Sequence, residues 1–235
     1  MSLKHITFTG IDSKTDIKAL QEITKKYPIV EFGVLTSYHY YENGNRYLEP
    51  TLMGGLRDKN LNLSLHICGT AAHDASRGFW GKIIELTKDN LDIFKRCQVN
   101  IANRKDNYPY CWMASYPYQE IIIQQRNIYE LKLFQVTMDL WREPAAFSVL
   151  LDASGGRGID TAIEILNRDY KVGYAGGFNP DNVGEKLSYL MDNVKGDFWI
   201  DMESGVRTND WFDLEKVVKV LEICEPIIKK GGQDD

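Results

Sequence analysis

The feature that most constrains the fold is an alternation repeated eight times along the chain. Short apolar runs with β propensity are each followed by a longer stretch of polar residues and helical periodicity. The runs are HITFTG, IVEFGVLTS, LNLSLHICG, RCQVNIA, QEIIIQQR, AFSVLLDAS, YKVGYAGG and DFWIDMESG. Between them lie helical patterns such as DSKTDIKALQEITKKY, where Ile17, Leu20 and Ile23 keep one stripe, and PDNVGEKLSYLMDNV. The others are EPTLMGGLRDKN, GKIIELTKDNLDIF, IYELKLFQVTMDLW, DTAIEILNRD and DLEKVVKVLEIC. Continuous Val/Ile/Leu runs suit strands buried on both faces, and strand–helix alternation gives a parallel sheet. Eight units in 235 residues match a compact (β/α)8 TIM barrel, an α/β fold, formed as a single domain over 1–235. An open doubly wound sheet would usually carry GxGxxG after its first strand, and TGIDSKTD is not that motif. The fourth unit is the weakest, because ANRKDNYPYCWMASYPY is irregular and aromatic-rich.

Composition excludes several classes of function. The formal net charge is −5 with no basic stripe, which argues against a nucleic-acid partner. The apolar runs are too short to span a bilayer, and MSLKHITFTG lacks the apolar core of an export signal. Cys68, Cys97, Cys111 and Cys224 have no CxxC spacing, so reduced thiols in a cytoplasmic protein are expected, with no metal site built from them.

In this fold the active site lies at the C-terminal ends of the strands. The polar residues ending each run are Thr9, Thr36 and Ser37, His66 and Cys68, Asn100 and Asn103, Gln124 and Arg126, Asp152, Gly176 and Gly177, and Asp201, Glu203, Ser204 and Gly205. In the seventh and eighth turns, AGGFNPDN and ESGVRTND, glycines stand immediately after a strand, and Pro180 is placed to start the next helix. Bare backbone N–H groups at a helix N-terminus can cradle a phosphate, and the last two loops are this fold's usual phosphate site. A single such turn reads as well as a helix-capping connection; two in the expected places favour phosphate. Asp152 ends the largely apolar run FSVLL, so strand context fits either a desolvated general acid or a cap on the SGGRG turn. Its position opposite two phosphate turns favours the acid. His66 alone suits a hydrogen-bonded core residue and Cys68 an inert small hydrophobe, while Arg46, in the loop YHYYENGNRY, is placed to grip an anion.

The segments ITFTGID, LLDASGGRG, YAGGFNPDNV and IDMESGVR together resemble the phosphoribosylanthranilate isomerase family of barrels. The resemblance implies an Amadori rearrangement of an N-linked aminoaldose phosphate to an aminoketose, without metal or other cofactor. In that reaction a general acid protonates the ribose ring oxygen and a thiolate removes the proton from the adjacent carbon. Carried onto this chain, Asp152 is the acid, Gly176, Gly177, Ser204 and Gly205 hold the phosphate, Asp201 faces the substrate and Arg46 meets the anthranilate carboxylate. The family's base is a first-strand cysteine before a glycine; here FTGID puts Thr9 before Gly10. A hydroxyl cannot replace a thiolate, and a matched base is worth about 10²–10⁴ in rate. Cys68, His66 and Asp12 are the candidates to replace it; His66 and Cys68 share a strand face, where the imidazole could assist the thiol.

The expectation is therefore an isomerase of a small phosphorylated metabolite. The alternative is a catalytically retired barrel that binds such a metabolite, or a protein partner through its aromatic segment. A Schiff-base aldolase would need a strand-end lysine, which this chain lacks. A metal-dependent epimerase would have to draw its ligands from His66, Asp152 and Asp201.

Overall fold

In a computed structural model, the structure describes residues 2–39, 44–100, 120–126, 147–154, 157–166 and 171–231. Eight parallel strands close into a barrel in chain order: β1 (Leu3–Thr9), β2 (Val30–Thr36), β3 (Leu63–Cys68), β4 (Arg96–Asn100), β5 (Glu120–Gln125), β6 (Phe147–Asp152), β7 (Val172–Ala175) and β8 (Phe198–Met202), which returns to β1. All eight strands coincide with the runs read from sequence. The helices are α1 (Ile17–Lys26), α2 (Pro50–Met53), α3 (Gly69–Ser76), α4 (Gly81–Leu86), α5 (Val183–Asn193) and α6 (Leu214–Gly231). Among the described residues no helix is long and apolar enough to cross a membrane.

Each strand offers one face to the surrounding helices and one to the barrel axis. The outward face is apolar: Ile6 and Phe8 on β1, Leu65 and Ile67 on β3, and Phe198 and Ile200 on β8 join Leu20 of α1 and Leu187 of α5 in one buried core. The axial face is mostly polar. Near the N-terminal end of the barrel, Arg96 donates to Glu31 Oε1 at 2.9 Å and to Glu120 Oε1 at 3.0 Å, and Lys171 reaches Glu120 Oε2 at 2.5 Å. The Arg96 guanidinium lies 4.4 Å from the centre of the Trp199 ring. Burial alone would raise the Glu31 carboxyl, but Arg96, His5 and His66, together with the Thr7 hydrogen bond, hold it below the usual value. Above this ionic floor, Ile122, Leu150 and Trp199 form a small apolar plug. The floor and plug fill the lower barrel and leave its C-terminal end open.

Several expected helices differ in the structure. EPTLMGGLRDKN forms only the single turn α2 followed by a 3₁₀ turn at Gly54–Leu56. α3 has no counterpart in the sequence reading: GTAAHDAS starts directly at the end of β3, with Gly69 at φ 61°, and buries Ala71, Ala72 and Ala75. Residues 160–166, the described part of the expected helix DTAIEILNRD, are not helical. Instead Tyr174 fixes this stretch from β7, its hydroxyl bonding to the backbone N–H and C=O of Leu166. α5 starts at Val183 rather than at Pro180, which lies in the turn before it. After β8 a short hairpin of β9 (Arg207–Thr208) and β10 (Trp211–Phe212) precedes α6. The aromatic segment 107–118, Asn103, Cys111 and the expected helix over 128–141 lie outside the described residues.

Candidate active site

A cavity of about 240 Å³ opens at the C-terminal end of the barrel, and its lining includes Thr9, Arg46, His66, Cys68, Asp152, Gly176, Gly177, Asp201, Ser204 and Gly205. These are the ten residues assigned from the sequence to catalysis or substrate binding; Thr36 and Ser37, also named as strand ends, and Asp12, a candidate base, do not line it. Period-2 alternation explains why the ten meet: β6 turns Ser148, Leu150 and Asp152 inward, and β8 turns Trp199 and Asp201 inward.

Asp152 is buried, and both of its oxygens are engaged. Oδ1 accepts from the Ser154 N–H at 3.1 Å and from the Ser154 hydroxyl at 2.6 Å, while Oδ2 accepts from Gln124 Nε2 at 2.7 Å. The two readings of this residue therefore coexist: Asp152 caps the turn after β6 and also faces the cavity.

On β8, two strands round the barrel from β6, Asp201 accepts a hydrogen bond from Thr9 Oγ1 at 2.7 Å. Burial pushes the Asp201 carboxyl up to about 7; the Thr9 hydrogen bond opposes this, and the negative charges of Glu203, Glu31 and Asp152 reinforce it. Glu203, one turn further on, also lines the cavity, and burial raises it against the pull of Arg46 and Arg207. Arg46 donates to Glu203 Oε1 at 2.7 Å and to Asp210 Oδ1 at 2.8 Å. The anion grip expected of Arg46 is thus already partly engaged by protein carboxylates, which also fix the guanidinium at the mouth.

The two glycine turns pack against each other. A Cβ on Gly205 would run into the Phe178 carbonyl, and one on Gly177, at φ 72°, would stand 2.5 Å from the Asp160 backbone nitrogen. The loop after β6 joins them: a Cβ on Gly158 would meet the Ser204 hydroxyl at 2.6 Å. Ser204–Val206 form a 3₁₀ turn, whose first N–H groups have no partner within the turn. Lys186 of α5 braces the cradle from behind, donating to the Gly176 carbonyl at 2.8 Å and the Thr161 carbonyl at 3.1 Å and pairing with Asp160 at 2.6 Å. Bare backbone, close-packed turns and the first N–H groups of the 3₁₀ turn on one wall form an arrangement suited to a phosphate group.

The residues considered as replacement bases are placed less favourably. β3 does run on to Cys68, and Cys68 and His66 do face the cavity together. The His66 ring, however, bonds to the Ser64 hydroxyl at 3.0 Å, two residues earlier on the same face. Burial lowers His66 to about 4 and raises the Cys68 thiol to about 12, with the Asn100 amide at 3.4 Å from its sulfur. The imidazole is neutral and does not ionise the thiol. Asp12 is absent from the cavity; it accepts from Arg207 at 3.0 Å and from the Phe212 N–H at 2.6 Å, tying β1 to the hairpin. Among the described residues no group of three or more His, Cys, Asp or Glu side chains is disposed to hold a metal ion. The polar lining residues that escaped the sequence reading include Gln98, Tyr47 and Ser154. Gln98 precedes Asn100 by two on β4, so strand alternation alone could have found it.

A family model described as N-(5'phosphoribosyl)anthranilate (PRA) isomerase matches residues 118–223. A comparison with curated proteins finds no significant match. Among solved structures, the barrel is similar to that of N-(5'-phosphoribosyl)anthranilate isomerase from Pyrococcus furiosus, at 18% identity and TM-score 0.56, over 94% of this chain and 98% of that one. It is also similar to phosphoribosyl anthranilate isomerase from Thermococcus kodakaraensis, at 15% identity and TM-score 0.58, with the same coverage of 94% and 98%. At that identity the likeness in structure speaks for the fold alone, and the match to the family model spans less than half of the chain. Over residues 118–223 the chain is thus similar to the PRA isomerase family model, and over nearly its whole length it shares the barrel of two solved PRA isomerases.

Proposed function

We propose that this protein is an intramolecular aldose–ketose isomerase of a small phosphorylated sugar, working by an Amadori rearrangement. The observation that carries the reading is one cavity with buried carboxylates, Asp152 and Asp201, facing it and a wall of packed glycine turns beside them. The turns at 176–177 and 204–205 take the substrate phosphate. Asp152 gives a proton to the sugar ring oxygen as the C1′–O bond breaks and the nitrogen lone pair forms a C1′=N iminium. Removal of the C2′ proton then returns the electrons through C2′–C1′ to nitrogen, giving an enolamine that ketonises with a new proton on C1′. Only proton transfers are required, and general acid–base groups of matched pKa supply about 10²–10⁴ each.

The test is turnover of phosphoribosylanthranilate, followed by loss of anthranilate fluorescence, for the native chain and Asp152→Asn. The native chain should turn over, and the variant should lose at least about 10²-fold in kcat. Equal rates refute the acid assignment. The missing first-strand thiolate favours a second reading, a barrel that binds sugar phosphates without converting them. Calorimetric binding with no turnover in the native chain would select it.

A further inference from the structure

The reading above leaves the base unassigned, and the structure offers one group in the right place. Thr9 ends β1, where the resemblance puts a thiolate, and its hydroxyl points at a carboxylate on the neighbouring strand: Thr9 Oγ1 to Asp201 Oδ1 is 2.7 Å. Strands β1 and β8 pair in register, Thr7 with Asp201, so Asp201 stands beside Thr9 on the inward face. Thr9 holds Oδ1 of Asp201, and among the described residues no hydrogen bond engages Oδ2, which faces the substrate space. Asp152 approaches the cavity from β6, two strands round the barrel from β8. The acid and this carboxylate therefore reach a bound sugar from two strands that flank β7. Cys68 and His66 line the cavity too, but the thiol keeps its proton and the ring is bound to Ser64.

We propose that Asp201 is the base of the isomerisation, with the Thr9 hydroxyl as its positioning partner. The Asp201 carboxylate takes the C2′ proton; the C2′–H electrons form the C1′=C2′ bond, and the C1′=N electrons return to nitrogen. The enolamine then takes a proton at C1′ and loses one from the C2′ hydroxyl, restoring the carboxylate after exchange with water. This assignment rests on the isomerase reading.

The groups facing Asp201 fix the pH behaviour. Glu31 on β2, Asp152 on β6 and Glu203 on the following turn add negative charge that keeps its proton on; Thr9 on β1 donates to the ionised form. The adjacent inward positions of β7, Gly173 and Ala175, carry no charge, and the nearby cation Arg46 is paired to Glu203. A base with these neighbours, at about 7, is half ionised at neutral pH, near the optimum for proton abstraction.

The test is the pH dependence of kcat/KM with phosphoribosylanthranilate for the native chain, Asp201→Asn, Thr9→Val and Asp152→Asn, each checked for native circular dichroism. In the native chain activity should fall on the acid side of about pH 7. Asp201→Asn should lose about 10²–10⁴-fold and that acid limb with it. Thr9→Val should keep the limb but move it to higher pH, because the carboxylate loses a donor; a purely structural role for Asp201 would move no limb. Asp201→Asn turning over at the native rate overturns the assignment, and so does a native profile that falls on the alkaline side of pH 7 in an Asp201-dependent way, which would make Asp201 an acid. A native chain inert at every pH defeats the isomerase reading itself, and this assignment with it. A native chain that turns over while Asp201→Asn keeps pace defeats this assignment alone.

Discussion

Asp201→Asn should stabilise the protein, and more so as pH rises. The carboxyl is buried, the negative charges of Glu203, Glu31 and Asp152 act on it, and its folded value of about 7 lies well above the reference 3.8. A raised folded value means that the native state holds the proton more tightly than the unfolded chain. The associated stability is complete below the unfolded value and is lost as pH climbs through the folded one. Applying linkage to these two values, native stability falls by about 2–3 kcal/mol between pH 5 and pH 8 through this one group. Asparagine keeps an oxygen for the Thr9 hydroxyl but does not titrate. The stability difference between variant and native should therefore grow by about that amount over the same range, while changes from Glu31, Glu120 and other groups largely cancel in the comparison. Urea unfolding followed by tryptophan fluorescence at pH 5, 6.5 and 8, with m-values checked for constancy, measures it. A difference that is flat with pH, or larger at pH 5, would refute the reasoning, because Asp201 would then be ionised in the native state throughout. Such a protein would trade stability for a poised carboxylate, as functional sites commonly do.

Other expectations follow from the same geometry. Arg96→Met leaves Glu31 buried beside Thr7 and breaks the floor network, so it should destabilise by about 3–5 kcal/mol in thermal or urea unfolding, whereas Glu120→Gln should cost less because Lys171 is partly exposed to water. Gly205→Ala places a methyl against the Phe178 carbonyl and should separate the two turns, weakening calorimetric binding of inorganic phosphate or ribose 5-phosphate by at least tenfold at unchanged circular dichroism. Cys68 should resist iodoacetamide at pH 7 in the folded protein, because burial holds the thiol proton up to about 12; rapid labelling of that residue would restore it as a candidate base.

The barrel itself was legible because its strands are buried on the outside by helices and carry unmistakable apolar runs, such as VLL in β6 and FWI in β8. The helices were less so. α3 is built on alanines and starts without a side-chain cap, so neither periodicity nor a start signal marks it. The stretch 160–166 has helical periodicity, with Ile163 and Leu166, yet its backbone is taken up by bracing the β7 turn through Lys186 and Tyr174. That is a tertiary demand which a local pattern does not contain. At the site, strand alternation sufficed to gather Asp152, Asp201, His66 and Cys68 into one cavity, since each is set by position along its strand. Their protonation was not legible. His66 could be placed on the same face as Cys68, but the same rule also put Ser64 there, and the imidazole bonds to Ser64. The Thr9–Asp201 contact depends on which strands meet when the barrel closes, joining residues 192 positions apart. The closed alternation implies that pairing, yet its consequence for the missing base emerges only once the 2.7 Å distance is seen.

The central claim is proton abstraction from the sugar carbon next to the amine. It is tested most directly by running the reaction of phosphoribosylanthranilate in D₂O and reading the product by ¹H NMR. The account predicts an aminoketose carrying one solvent deuteron at C1′, formed by the native chain and lost with Asp201→Asn. Absence of any aminoketose from the native chain, or its formation without solvent deuterium at C1′, would contradict it.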